Sequence, residues 1–167
     1  MAIRNILTKE DSTLYKISRP VTDFNSRLHT LLDDMTETLI ESGGVGLAAP
    51  QVGVLRRAVV VLETNVPEGE DEYTIELINP EIIEVSGEQK GAEGCLSVPD
   101  EYGIVTRPMN VRVRAQDRFG EWFEVEGEGL TARCFCHESD HLEGILFTSL
   151  AEKMLTKEEM ESGDADA

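Results

Sequence analysis

Residues 134–141 read CFCHESDH: two histidines four positions apart, a glutamate beside the first, and two thiols just upstream. On a helix, His137 and His141 lie on one face about a turn apart, so both imidazoles can reach one divalent cation. Glu138 projects roughly 100° further round, within reach of a water on that cation without being a ligand. The pairing is chemically sensible, because the cation lowers the pKa of its water and the carboxylate accepts the proton released. Thr131 is a candidate N-cap and Gly144 a candidate stop, which places the stretch on a helix over 131–144.

Two imidazoles need a further ligand, and three candidates compete. Cys134 lies one turn before His137, but adjacent turns of one straight helix rarely wrap three ligands around a tetrahedral ion. Glu158 or Glu159 downstream would make a zincin-type endopeptidase, although both lie in a polar tail that offers poor support. Cys95, in EGCLS, sits between predicted strands beside Gly94, which lets the backbone come close. Geometry favours Cys95; spacing alone leaves the choice open.

Outward from that helix, Leu28, Leu31, Leu32, Met35 and Leu39 recur at helical spacing between Phe24 and Ser42, with Asp33, Asp34 and Glu37 largely opposite. Gly43 and Gly44 end this N-terminal amphipathic helix. His29 lies on it without a Cys or His neighbour and reads as structural. RRAVVVLE and YTIELINPEIIEVS read as strands, the second bent at Asn79-Pro80. VRVRAQDRFGEWFEVEGEG alternates around Asp117–Gly120 as a hairpin does. The order helix, strands, helix predicts an α+β fold, with antiparallel sheets packed around a central metal-binding helix that carries H-E-x-x-H. Residues 1–155 read as one catalytic domain, and 156–167 as an acidic, frayed tail.

The 167 residues suffice for one domain, and 40% apolar with 29% charged residues is ordinary for a folded chain. No apolar run is long enough to span a bilayer, and the first residues lack a secretory signal, so the expected location is the cytoplasm. Acidic residues number 33 against 15 basic, a net charge of −18 that repels nucleic acid and anionic membranes. Three cysteines in such a chain argue for thiol or metal chemistry rather than a disulfide framework.

Three stretches, GVGLAAPQ at 44–51, EGCLS at 93–97 and HESDH at 137–141, resemble in order and spacing the signature motifs of peptide deformylases. LYKISRPV, INPEI and DHLEGILF extend the likeness over roughly residues 1–155. The resemblance implies a hydrolase of the bacterial cytoplasm that removes the formyl group from N-formylmethionyl peptides and nascent chains, releasing formate. It implies Cys95, His137 and His141 as ligands to one divalent ion, Fe(II) in this family with zinc or nickel also accommodated. Glu138 would be the general base and then the acid. The Gln51 amide and the Leu96 backbone N–H would stabilise the oxyanion. Gly44 and Gly46 would let a peptide lie alongside as an added strand, and Val45, Leu130 and the Cys134 side of the helix would line the methionine pocket. Glu93, paired with Arg107, and Asp140 would support the ligands from outside.

Cys136 departs from the pattern, since the family usually has glutamine before the first histidine. Neighbouring helical positions point about 100° apart, so Cys136 does not replace a ligand, and what changes is the hydrogen bonding around the site. With all three ligands, Glu138 and Gln51 present, a non-catalytic metal- or peptide-binding relative is the lesser reading. From Glu152 onward there are six acidic residues and only Lys153 and Lys157 as basic ones. Contact with the ribosome is therefore expected to be weak and insensitive to salt; tight binding that weakens steeply with salt would contradict this.

Overall fold

The computed structural model describes residues 2–161. Helix α1 (Ser26–Ser42) buries Leu28, Leu31, Leu32, Met35 and Leu39 along one face. Asn25 caps it, its side-chain oxygen accepting the Leu28 N–H at 3.2 Å. Gly43 closes it in the left-handed conformation, φ 72°.

The strands among the described residues are, in chain order, β1 (Gly46–Ala48), β2 (Ala58–Glu63), β3 (Tyr73–Ser86), β4 (Gln89–Cys95), β5 (Val98–Arg107), β6 (Asn110–Gln116), β7 (Trp122–Glu128) and β8 (Lys153–Leu155). They form two sheets, β1-β2-β3-β6-β7 and β4-β5-β8, antiparallel throughout. This is a mixed α/β fold with antiparallel sheets.

Strand β2 is buried on both faces. Ala58 and Val60 pack with the α1 leucines, whereas Val59 and Val61 pack with Ala132 and Phe135 on the other side. That is why AVVVL is an unbroken apolar run rather than an alternating one. The bend expected at Asn79-Pro80 is a bulge inside the continuous strand β3, where the register with β6 shifts between Ile78 and Glu81. Asn79 holds it at φ 51°, its amide donating to Val21 O at 2.9 Å and to Gln116 Oε1 at 2.7 Å. At the hairpin tip, Asp117 Oδ1 accepts the N–H groups of Phe119 and Glu121 at 2.8 and 3.0 Å.

Helix α2 (Leu130–Leu142) lies between the sheets. Ala132, Phe135 and Leu142 pack on the five-stranded sheet, and Arg133, His137 and Asp140 bond to side chains and backbone of the smaller one. Its N-cap is Gly129, φ 61°, and not Thr131. Thr131 is inside the first turn because its hydroxyl donates to the buried Glu63 carboxylate at the end of β2. At the other end, Gly144 passes the Tyr15 backbone so closely that a Cβ would lie 2.5 Å from Tyr15 O.

The short helix α3 (Lys157–Glu161) follows β8. Of the tail expected to fray, residues 162–167 lie outside the described residues. Among the described residues, no helix is long and apolar enough to cross a membrane.

Asp34, buried on α1, ties down the N-terminal segment by accepting the Ala2 N–H at 2.7 Å and Arg4 Nε at 2.9 Å. The Ala2 N–H, opposed by burial and aided by Arg4, holds its carboxyl below the usual range. A depressed carboxyl contributes stability above its unfolded pKa and loses it as pH falls through the folded one. Asp34→Asn is expected to cost about 1 kcal/mol at pH 7. The gap should close below about pH 4, as checked by urea unfolding of both proteins across that range.

Candidate functional site

Cys95 ends β4, and His137 and His141 stand on successive turns of α2. Cys95 Sγ lies 3.4 Å from His141 Nε2, which lies 3.2 Å from His137 Nε2. All three ligating atoms fall within 4.8 Å of one another, and this is the one such cluster among the described residues. The fold thus brings Cys95, rather than Cys134, Glu158 or Glu159, to the histidines. Glu159 instead bonds to Lys153 and Thr156 beside α3. His29 is remote, its Nε2 donating to Arg118 O at 2.7 Å beside the hairpin tip.

Glu93 sets the orientation of His137. Its Oε2 accepts the Nδ1–H of that ring at 2.7 Å, which turns the Nε2 lone pair toward the cluster. Arg107 forks onto the same carboxylate, Nη2 to Oε2 at 2.7 Å and Nε to Oε1 at 3.0 Å, and reaches Asp140 Oδ2 at 2.7 Å through Nη1. A second buried guanidinium, Arg133, donates through Nη1 to Glu93 Oε1 at 2.9 Å and to Val105 O at 3.1 Å. Burial by itself raises the Glu93 carboxyl, but the bonds from His137 and Arg107 outweigh it and hold the group well below the usual range.

Glu138 Oε2 is 4.0 Å from His137 Nε2, and its Oε1 is buried without a hydrogen-bond partner among the described residues. Burial pushes this carboxyl up to about 7. The carboxylate rests on the backbone of β1, where a Cβ on Gly46 would lie 2.4 Å from Oε2. Glycine is required there to admit the glutamate, a role that the sequence, read as a peptide-docking edge, did not disclose. Neither did it disclose Arg133, which reads as an ordinary helical residue.

Gln51 is buried in the 3₁₀ turn after β1. Its Oε1 accepts the Ala48 N–H at 2.9 Å, which aims the amide Nε2 at Ser97 Oγ (3.0 Å) and, more weakly, at Cys95 Sγ (3.5 Å). Leu96 packs against Gly44, where a Cβ would meet its Cδ1 at 2.9 Å. Gly44, Val45, Gly46, Leu96, Leu130 and Cys134 all line a cleft of about 420 Å³ that opens onto Cys95, His137 and Glu138. Two other hollows, about 450 and 670 Å³, contain no cysteine or histidine, so donor chemistry rather than size picks the site. Cys136 stands outside the cluster and is buried, which pushes its thiol up to about 11 and leaves it neutral.

One sulfur and two imidazole nitrogens, converging beside a buried and unpartnered carboxylate oxygen, fit a divalent transition metal. With an ion held there, the third donor, Cys95 from a separate strand, would leave the cleft side of the cluster open, as a catalytic site requires.

Comparison with known proteins agrees. A family model described as polypeptide deformylase matches residues 3–157. The peptide deformylase of Caldicellulosiruptor bescii is 53% identical over 161 residues, spanning 96% of this chain and 93% of that protein. A peptide deformylase structure from Legionella pneumophila matches with a TM-score of 0.82 at 44% identity, covering 98% of this chain and 92% of that one. A class I type b peptide deformylase from Acinetobacter baumannii, with Met-Ala-Ser bound, matches with a TM-score of 0.81 at 37% identity, covering 89% and 98%.

The cluster is expected to bind one Co(II) per chain. His141→Ala should weaken binding by more than about 100-fold, beyond the loss typical of changes around the ligands; equilibrium dialysis with metal analysis checks this.

Proposed function

This chain belongs to the polypeptide deformylase family, and from that premise we propose how its own residues divide the work. The family's enzymes are metal-dependent hydrolases that remove the N-formyl group from nascent polypeptides, and this chain is such an enzyme. The observation that carries the assignment of roles is the convergence of Cys95, His137 and His141 beside Glu138, at the floor of a cleft walled by an edge strand.

Cys95, His137 and His141 would hold the ion on the H-E-x-x-H helix, with Fe(II) as the native metal and zinc or nickel as substitutes that the same donors accept. When bound there, the ion supplies Lewis acidity, lowering the pKa of water and polarising the formyl carbonyl. Glu138 takes the proton from the attacking water. The oxygen adds to the formyl carbon, and the carbonyl oxygen becomes an anion. The Gln51 amide serves that anion by giving up its weak contact to Cys95 Sγ, and the Leu96 N–H serves it from the other side. Glu138 then returns its proton to the leaving nitrogen as the C–N bond breaks, and the products are formate and a free amino terminus.

Among the described residues β1 pairs only with β2, and its other edge could take the start of a peptide as an added strand. Gly44 and Gly46 would keep that edge low, and Val45, Leu130 and Cys134 would enclose the methionine side chain. The Met-Ala-Ser tripeptide bound to the Acinetobacter relative supports a site for a methionine-first peptide. We read residues 1–155 as the catalytic domain, the bacterial cytoplasm as its place of action, and any ribosome contact as weak.

Anaerobic, Fe(II)-loaded protein is expected to release formate from a formyl-Met tripeptide. Glu138→Ala should slow that release about 10²–10⁴-fold while retaining the metal. Absence of formate from metal-replete wild-type protein would refute the reading.

A further inference from the structure

The roles assigned above leave one buried charge without a task. We propose that Arg133 is a positioning residue: it pins the strand that carries Cys95 to the helix that carries the two histidines, and so sets where the sulfur stands. The inference rests on reading the cluster as the enzyme's metal site.

Arg133 is only 7% exposed, and burying a guanidinium is costly unless every contact is well made. Its Nη1 is shared between Glu93 Oε1 on β4 and Val105 O on β5, at 2.9 and 3.1 Å. Arg133 lies four residues before His137 on α2, and Glu93 lies two residues before Cys95 on β4. The bridge Arg133–Glu93–His137 therefore closes a ring whose two sides end in the ligands.

Arg107 saturates much of Glu93, but it is the last residue of β5, the strand paired with β4, so its fork holds strand to strand. Its one reach to the helix is to Asp140, a turn beyond His137. Arg133 supplies the tie to the first half of α2, and through Val105 it engages both strands of the hairpin at once. Without it, Glu93 would meet the helix through His137 alone, and the ring's orientation would no longer be referred to β4 by a second point.

Arg133 also lines the cleft, so a contact with the peptide is the rival role. Co(II) separates the two, because a thiolate ligand gives cobalt a near-ultraviolet charge-transfer absorption that reports the sulfur directly. In Arg133→Met, Co(II) affinity should fall about 10–100-fold and that absorption should weaken or shift. Arg133→Lys should recover part of both, since an ammonium reaches one acceptor well but lacks the planar fork. In a Cys95→Ser background, Arg133→Met should add little further loss, because the two changes act through one bond.

Unchanged Co(II) affinity and absorption in Arg133→Met, with a raised KM for the formyl peptide, would overturn the proposal in favour of substrate contact. Full additivity with Cys95→Ser would overturn it in favour of a general structural role. If Arg133→Met does not fold, the same comparisons in Arg133→Lys decide the matter. The cobalt readings need no formate release, so a failed deformylase assay and a failed positioning role remain distinguishable.

Discussion

The helix and the hairpin that carry the cluster are tied together at the carboxylate of Glu93. It accepts four hydrogen bonds from three side chains, two on α2 and one on β5, while itself standing on β4. A buried carboxylate is tolerable only when such bonds replace its water, and removing one partner from a buried pair typically costs about 3–5 kcal/mol. The cost is met here at a place where three elements must keep a fixed spacing. Helix α2 and the β4–β5 hairpin belong to different layers, and apolar packing alone would let them slide by fractions of an ångström. Directional bonds to one anion remove that freedom.

A second constraint acts on the opposite side of the helix. Phe135 and Ala132 press α2 onto β2, which is itself held from beneath by α1. The helix is therefore clamped between an apolar face and a charged one. Its own sequence reflects this: Ala132 and Phe135 face the sheet, whereas Arg133, His137 and Asp140 face the polar network. Gly46 completes the arrangement by letting the Glu138 carboxylate approach β1 more closely than any side chain on that strand would allow.

Much of this was legible in the chain itself. The leucine spacing and Gly43 define α1, Asp117–Gly120 defines the hairpin, and the histidine pair with its glutamate marks the helix of the candidate site, because each signal is local and periodic. What escaped is non-local. Thr131 looked like a cap because the acceptor for its hydroxyl, Glu63, lies far back in the chain. Arg133 carries no periodic signal that separates it from a solvated helical arginine, and its partners Glu93 and Val105 are 40 and 28 residues away. Asn79-Pro80 announced a break in direction, but whether that means a turn or a bulge depends on β6 continuing alongside. That Cys95, and not its rivals, stands beside the histidines likewise needed the fold, since spacing counts residues and proximity counts ångströms.

The brevity of β1 has a consequence for how widely the enzyme can serve. Three residues of strand span roughly 10 Å, enough backbone to hold the first few links of a chain and no more. So short an edge resists joining foreign sheets, and as a docking edge it would leave most of a client protein outside any grip. If a peptide docks there as proposed, recognition would be concentrated on what all clients share, their common first residue, while their differences would lie beyond the reach of the strand. A single catalyst with a narrow handhold can thus act on a whole proteome without being tuned to any member of it.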